Sequence, residues 1–211
     1  MYINIKTVNA LAKYIAPKDD IRYYLNGILL EITDKARFYA ATDGHKMVVI
    51  REERQEGDES GQWILPRDIV LGIKLSKRPV IDIAEFNQEN GKASIKYCGT
   101  ETSFGLIEGK FPEWRRVIPV STSGEIAQFN PDYLVAIRDC AKSTVGTAGY
   151  CGLSLLHNGT SASLYQANDI NFIAVIMPLR INKADVYSPN QDVLSNYWGF
   201  SKPLESVKNA A

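Results

Sequence analysis

The feature that constrains this chain most is a repeat with an odd count. One order of elements, a short strand, a helix and three further strands, reads three times along the sequence. The first copy starts with a strand at 3–5 and a helix over 7–16, where Val8, Leu11, Ala12 and Ile15 fall at the i, i+3, i+4, i+7 spacing of an amphipathic helix. Strands are expected at 23–32, 36–41 and 46–51, with Asp43-Gly44 as a turn and Asn26-Gly27 as a turn or a bulge. The second copy opens with Trp63-Ile64-Leu65 and a helix begun by Pro66, whose missing N–H is no loss at a first helical position. Ile69, Gly72 and Ile73 form its apolar face, and strands follow at 80–86, 92–97 and 102–107. The third copy has a strand at 126–129, a cap at Asn130, Pro131 in the first turn, and Leu134, Ile137 and Ala141 facing inward. Its strands are expected at 152–157, 161–166 and 171–177. The fold class is therefore α+β. One helix per repeat is too few to cover both faces of a sheet, so each sheet is expected to bury one face under helices and turn the other outward.

Three polar stretches punctuate the repeats. Residues 52–61, EERQEGDESG, hold no apolar side chain and read as an exposed loop outside any core. Residues 119–125 read as a linker, and 182–211, with few periodic apolar positions, as a tail.

The chain has 24 basic and 24 acidic residues, which argues against a protein that coats nucleic acid through bulk positive charge. No stretch approaches about 18 apolar residues, and Lys6 and Lys13 interrupt what would have to be a signal core, so a cytoplasmic location is expected. Cys98, Cys140 and Cys151 show no C-x-x-C spacing and are expected as buried thiols, with no metal site and no cofactor. The charge is unevenly placed. The windows 6–18 and 66–78 each carry +3, and 130–142 balances, so the helices hold +6 and the remainder −6. That is a distribution able to hold a polyanion on one surface, although a solvated helix face would look the same.

Four segments carry a resemblance: RYYLNG at 22–27, ATDGHKM at 41–47, EGKFPEWRRVIP at 108–119 and VIMPLRI at 175–181. In this order and spacing they resemble the bacterial DNA polymerase III beta subunit, the sliding clamp. Residues 1–119, as units 1–54 and 61–119, look like its middle domain, 120–182 like half of its last domain, and 183–211 stand outside the likeness. The resemblance implies a DNA-clamp fold, with helices lining a ring around duplex DNA and sheets outside, tethering a polymerase and serving a clamp loader. It implies that Lys6, Lys13, Arg67, Lys74, Lys77, Arg78, Arg138 and Lys142 face the hole, touching phosphate without reading bases. It further implies a hydrophobic cleft for peptides anchored by Gln, Leu and Phe. Position by position, the cleft is Leu25, Thr42, Gly44, His45, Lys46 and Met47, with Pro112, Arg116 and Val117, and Val175, Ile176, Met177, Pro178, Leu179 and Arg180. Val175, Ile176 and Leu179 also read as ordinary strand core.

His45 beside Asp43 has no nucleophile motif, H-E-x-x-H or phosphate loop with it, so no catalytic residue and no enzyme is expected. Asn158-Gly159-Thr160 reads as a hairpin turn. A family ring has about twelve inner helices, which three per chain reach with four chains; a homotetramer is expected over a trimer, which would need a fourth repeat. The short chain suggests a phage, plasmid or other mobile element as its source. A non-encircling decoy that binds clamp-binding peptides is the alternative. In the tail, Gln191-Asp192-Val193-Leu194 with Tyr197, Trp198 and Phe200 resembles such a peptide faintly.

Overall fold

The structure, a computed structural model, describes residues 1–75, 82–145, 153–167 and 169–180. Repeat one comprises β1 (Tyr2–Asn4), α1 (Ile5–Leu11), β2 (Gly27–Ile32), β3 (Ala36–Thr42) and β4 (Lys46–Glu53). Repeat two comprises β5 (Gly61–Pro66), α2 (Arg67–Gly72), β6 (Ile83–Glu89), β7 (Lys92–Tyr97) and β8 (Thr100–Gly105). Repeat three supplies α3 (Pro131–Thr144), β9 (Leu153–Leu156), β10 (Ser163–Ala167) and β11 (Phe172–Ile176).

Helices start where a side chain can satisfy their first N–H groups. Asn4 accepts from the N–H of Lys6 and Thr7, so α1 begins two residues earlier than its apolar spacing indicates, and it tightens into a 3₁₀ turn over Ala12–Tyr14. Asn130 caps α3 by accepting from Asp132 N–H at 2.9 Å, with Pro131 in its first turn as expected. Pro66, expected as the first helical residue, is instead the cap of α2, which starts one position later at Arg67 without a side-chain cap, and it is also the last residue of β5.

The strand before each helix crosses to the other repeat. β1 pairs with β6, and β5 pairs with β2, so repeats one and two exchange their first strands. The result is a four-stranded antiparallel sheet, β1-β6-β7-β8, and a seven-stranded sheet, β5-β2-β3-β4-β11-β10-β9. Repeat three joins through β11, whose residues Phe172 to Ile176 lie opposite Ile50 to Lys46 of β4. The expected strand at 126–129 does not form. Its counterparts are strands because another repeat accepts them, and repeat three has no such partner among the described residues.

All three helices pack on one side of both sheets. Ile5, Val8 and Leu11 of α1, Val70 of α2 and Ile137, Cys140 and Ala141 of α3 share one core with Ile28, Leu30, Tyr39, Val48, Ile50, Phe86, Ile95, Phe172 and Ile176. At about 1.5–3 kcal/mol for each large apolar side chain fully buried, this core is the main favourable term in the fold.

Other expectations change. Residues Tyr23–Leu25 form a 3₁₀ turn and not a strand, because Leu25 and Asn26 N–H close turn bonds on Arg22 and Tyr23 carbonyls. Strands expected at 80–86 and 102–107 are shifted, to β6 and β8. The 52–61 loop is not outside the core: Asp58 is fully buried against the buried Arg37 guanidinium, and Arg37 Nη1 also donates to the Tyr2 carbonyl at 2.7 Å. A buried Arg near the start of β3 needs a carboxylate, and the loop's acid supplies it. Cys98 is exposed at the turn between β7 and β8, not buried, whereas Cys140 lies in the core, where burial pushes its thiol up to about 12. Cys151 and the tail residues 181–211 lie outside the described residues. The Asn158-Gly159 turn between β9 and β10 is present, with Asn158 Nδ2 donating to the Ala162 carbonyl at 3.1 Å.

The chain's contacts divide it into Met1–Leu179 and a separate unit, Arg180–Ala211. The expected boundary at 119/120 is crossed by the continuous seven-stranded sheet. Among the described residues, no helix is long and apolar enough to cross a membrane.

Candidate functional site

The four-stranded sheet turns a polar face outward, as expected, with Glu85, Asn87, Ser94, Lys96 and Ser103 on it. The seven-stranded sheet does not. Leu29, Ala40, Met47, Val49, Ile64, Leu164 and Val175 form a second buried cluster on its outer side, closed by Leu25, Phe111 and Trp114. Two-sided burial is written in the continuous apolar runs Ile28-Leu29-Leu30 and Met47-Val48-Val49-Ile50.

The segment 111–118 is fixed on this face by one carboxylate. Glu31 accepts from Trp114 Nε1 at 3.0 Å, Gln62 Nε2 at 2.8 Å and Arg115 at 2.9 Å. The Arg115 guanidinium lies 4.1 Å from the Trp114 ring centre and 5.1 Å from that of Phe38. Glu31, Phe111, Trp114 and Arg115 are absent from the sequence-derived site, although the Trp-Arg-Arg run was the signal for them.

Beside this segment, the turn between β3 and β4 meets the end of β11. Thr42 stands opposite Met47, Met47 opposite Val175, and Met177 N–H donates to the His45 carbonyl at 2.8 Å. The turn is held rigid from inside: Asp43 Oδ1 accepts from the N–H of His45 and Lys46, both at 2.9 Å, and Gly44 has φ +89°. A side chain at Gly44 would run into the Arg22 guanidinium, which donates to the Asp43 carbonyl at 3.1 Å and to Asp20. Those side-chain and backbone hydrogen bonds from Arg22 bring the Asp20 carboxyl down to about 2. The segments 22–27 and 41–47 are thus one structural piece.

Not every residue of the expected cleft points to this face. Leu25, Met47 and Val175 belong to the outer cluster, and Val117, Met177 and Leu179 are 41%, 38% and 48% exposed. Thr42, Pro112 and Pro178 are half-buried, and Gly44, His45 and Arg116 are exposed. Ile176 alternates to the helix side and is fully buried there. Lys46 turns the same way: its ammonium pairs with Asp43 and lies 4.8 Å from the Tyr133 ring centre, and the His45 ring stacks on Tyr133 at 6.1 Å. Arg180 is exposed and belongs to the separate unit.

The helix surface carries the second expected group. Lys13 and Lys74 are exposed, Lys6 is half-buried, and Lys142 is exposed. Lys13 Nζ lies 3.4 Å from Asp139, which Arg138 also engages at 2.7 Å. Arg67 is turned inward, donating to the carbonyls of Ile15 and Ala16 at 3.2 and 2.9 Å, so it braces the start of α2. Lys77 and Arg78 lie outside the described residues.

Residues 4–113 match the family model of the DNA polymerase III beta subunit, central domain. A beta sliding clamp of Vibrio cholerae is 36% identical over 106 residues, 49% of this chain and 28% of that relative. One of Rickettsia felis is 26% identical over 191 residues, 88% of this chain and 47% of the relative. The chain therefore aligns with less than half the length of these relatives. A crystal structure of the DNA polymerase III subunit beta of Pseudomonas aeruginosa superposes with a TM-score of 0.65 at 19% identity, covering 86% of this chain and 66% of the other. That of a Bacillus subtilis sliding clamp gives 0.67 at 13%, covering 86% and 64%, so the shared fold extends beyond the region matched by the family model. With more than half of its residues matched by the central-domain model and its α+β fold that of the solved clamps, the chain belongs to the DNA polymerase III beta subunit family, the sliding clamps.

Proposed function

We propose that the chain acts as a sliding clamp: a cytoplasmic processivity factor, without chemistry of its own, that closes as a homotetramer around duplex DNA and holds a polymerase through the outer face of its seven-stranded sheet. The observation that carries this reading is the meeting of Met47 with Val175 across the β4–β11 seam, which brings two widely separated sequence segments onto one apolar face beside the Trp114 segment. Exposed Val117, Met177 and Leu179 supply the rim on which Leu and Phe anchors of a client peptide would rest, and the Met side chain adapts to varied clients. The polymerase and the loader would compete for this one face. On the opposite side, Lys6, Lys13, Lys74, Arg138 and Lys142, with Lys77 and Arg78, would face the DNA; a topological link lets each contact stay weak enough to slide.

The test has two arms. A fluorescent peptide with Gln, Leu and Phe anchors should bind and lose at least tenfold in affinity with Met177→Asp. The loaded protein should stay on circular DNA and run off once the circle is cut. Peptide capture with no retention on circles would instead make the chain a non-encircling regulator that sequesters clamp-binding peptides.

A further inference from the structure

We infer that residues 125–129 add as a strand to the free edge of β9 in a second copy of this chain, while that copy returns the same segment, so two third repeats complete each other across a two-fold axis. The inference rests on the ring reading above and states how one of its joints is made.

The exchange already occurs once within the chain. Counted back from the first helical residue, Asn130, Phe129 and Gln128 stand where Asn4, Ile3 and Tyr2 stand in repeat one and Pro66, Leu65 and Ile64 in repeat two. Both earlier triplets are strands whose far edge pairs with the other repeat. In every repeat, the carbonyl two residues before the cap is satisfied from its own side. Tyr2 accepts from Arg37 Nη1 at 2.7 Å, Ile64 from Ile107 N–H at 3.1 Å and Gln128 from Leu179 N–H at 2.8 Å. Residues 125–129 are therefore already seated as a first strand on one edge.

Among the described residues no strand lies on their other edge or on that of β9; on the outward side the Glu125 carbonyl accepts from Gly159 N–H at 2.8 Å, a turn contact within the chain. An antiparallel strand points alternate residues to alternate neighbours, so with Gln128 committed inward, Ala127 and Phe129 present their backbone groups outward. The Ala127 N–H meanwhile rests on His157 Nδ1 at 3.3 Å. β9 occupies the place of β2 and β6 yet ends its sheet among the described residues, with Leu156 39% exposed and Ile126 83% exposed. A sheet edge without a strand among the described residues, beside a segment held on that side only by turn contacts to 157–159, is a template for mutual addition. Phe129, like Ile3 and Leu65, would lie on the helix side near Leu155, and Gln128 on the outer side near Ser154 or Leu156. The joint is isologous, so neighbouring chains in the ring face alternate directions.

Two tagged chains, both Cys98→Ser and Cys151→Ser, test it: one carries Gln128→Cys, the other Ser154→Cys or Leu156→Cys. Mild oxidation should give a mixed-tag species at twice the 23.5 kDa of one chain, at least tenfold above a control that pairs Ser103→Cys on β8 with Ser154→Cys. Ala127→Pro, which removes an outward N–H, should halve the mass of the assembly in solution. If the β8 control links and the 128 pairs do not, the copies join head to tail, and the exchange is overturned while the ring stands. An unmodified chain that stays monomeric at high concentration overturns both.

Discussion

The outer faces of the two sheets differ although both belong to the same repeat pattern. On the four-stranded sheet the residues that point away from the helices are Glu85, Asn87, Ser94, Lys96 and Ser103, all polar and exposed or half-buried. On the seven-stranded sheet the matching positions are Leu29, Met47, Val49, Ile64 and Val175, and the segment ending in Trp114 lies over them. A polar outer face makes a wall. An apolar one with only part of its length covered can seat another chain, and the difference is what supports the proposed docking face on the seven-stranded sheet.

The comparison can be broken most directly at Trp114. Trp114→Ala empties the outer cluster and frees the Glu31 carboxylate, and should cost about 4 kcal/mol in urea unfolding, whereas Ser94→Ala on the other sheet should stay within about 0.5 kcal/mol. Equal losses would mean the two faces are not physically distinct.

The seam between the sheets comes next. Asp58→Asn leaves the buried Arg37 uncompensated and should cost about 3 kcal/mol. Burial works against the Asp58 charge, but hydrogen bonds from Arg37 and the Gln55 N–H outweigh it and hold the carboxyl below its usual range. A depressed folded-state value means the contribution is complete above the ordinary carboxylate value and is lost as pH falls through the folded one. Acid unfolding should therefore be shallower in the Asn variant below about pH 4.

Smaller effects sharpen the functional side of the contrast. Met177→Asp should weaken client-peptide binding at least tenfold with stability almost unchanged, because the side chain is already partly in water. Lys13→Glu with Lys74→Glu should weaken loading on DNA and flatten its salt dependence, leaving peptide binding intact. Smallest of all, Tyr14→Phe should leave stability unchanged or raise it by up to about 1 kcal/mol. The Tyr14 hydroxyl is buried with no hydrogen-bond partner among the described residues.

Much of this architecture was legible locally. β7 lies at 92–97 as expected, because Ala93 and Ile95 alternate with Ser94 and Lys96. The α3 cap follows from Asn130 and Pro131. Periodicity reports which face a residue takes, not which strand is its neighbour, so the exchange of β1 and β5 was invisible, and 126–129 was read as a strand on pattern alone. The same limit applied at the site. A motif places Lys46 and Ile176 beside Met47 and Val175 in sequence, yet alternation sends them to the opposite side of the sheet. Asp58 was misplaced because a run of acids gives no sign that one of them answers a buried Arg37 far away in the chain.

The β4–β11 seam has a mechanical consequence. Five successive residue pairs join the third repeat to the first by main-chain hydrogen bonds inside a sheet that is packed on both sides. Such a joint shears only if the whole ladder lets go together, so a loader prying the assembly apart would find this stretch stiff. In the proposed ring, the gate that admits DNA would then lie between subunits.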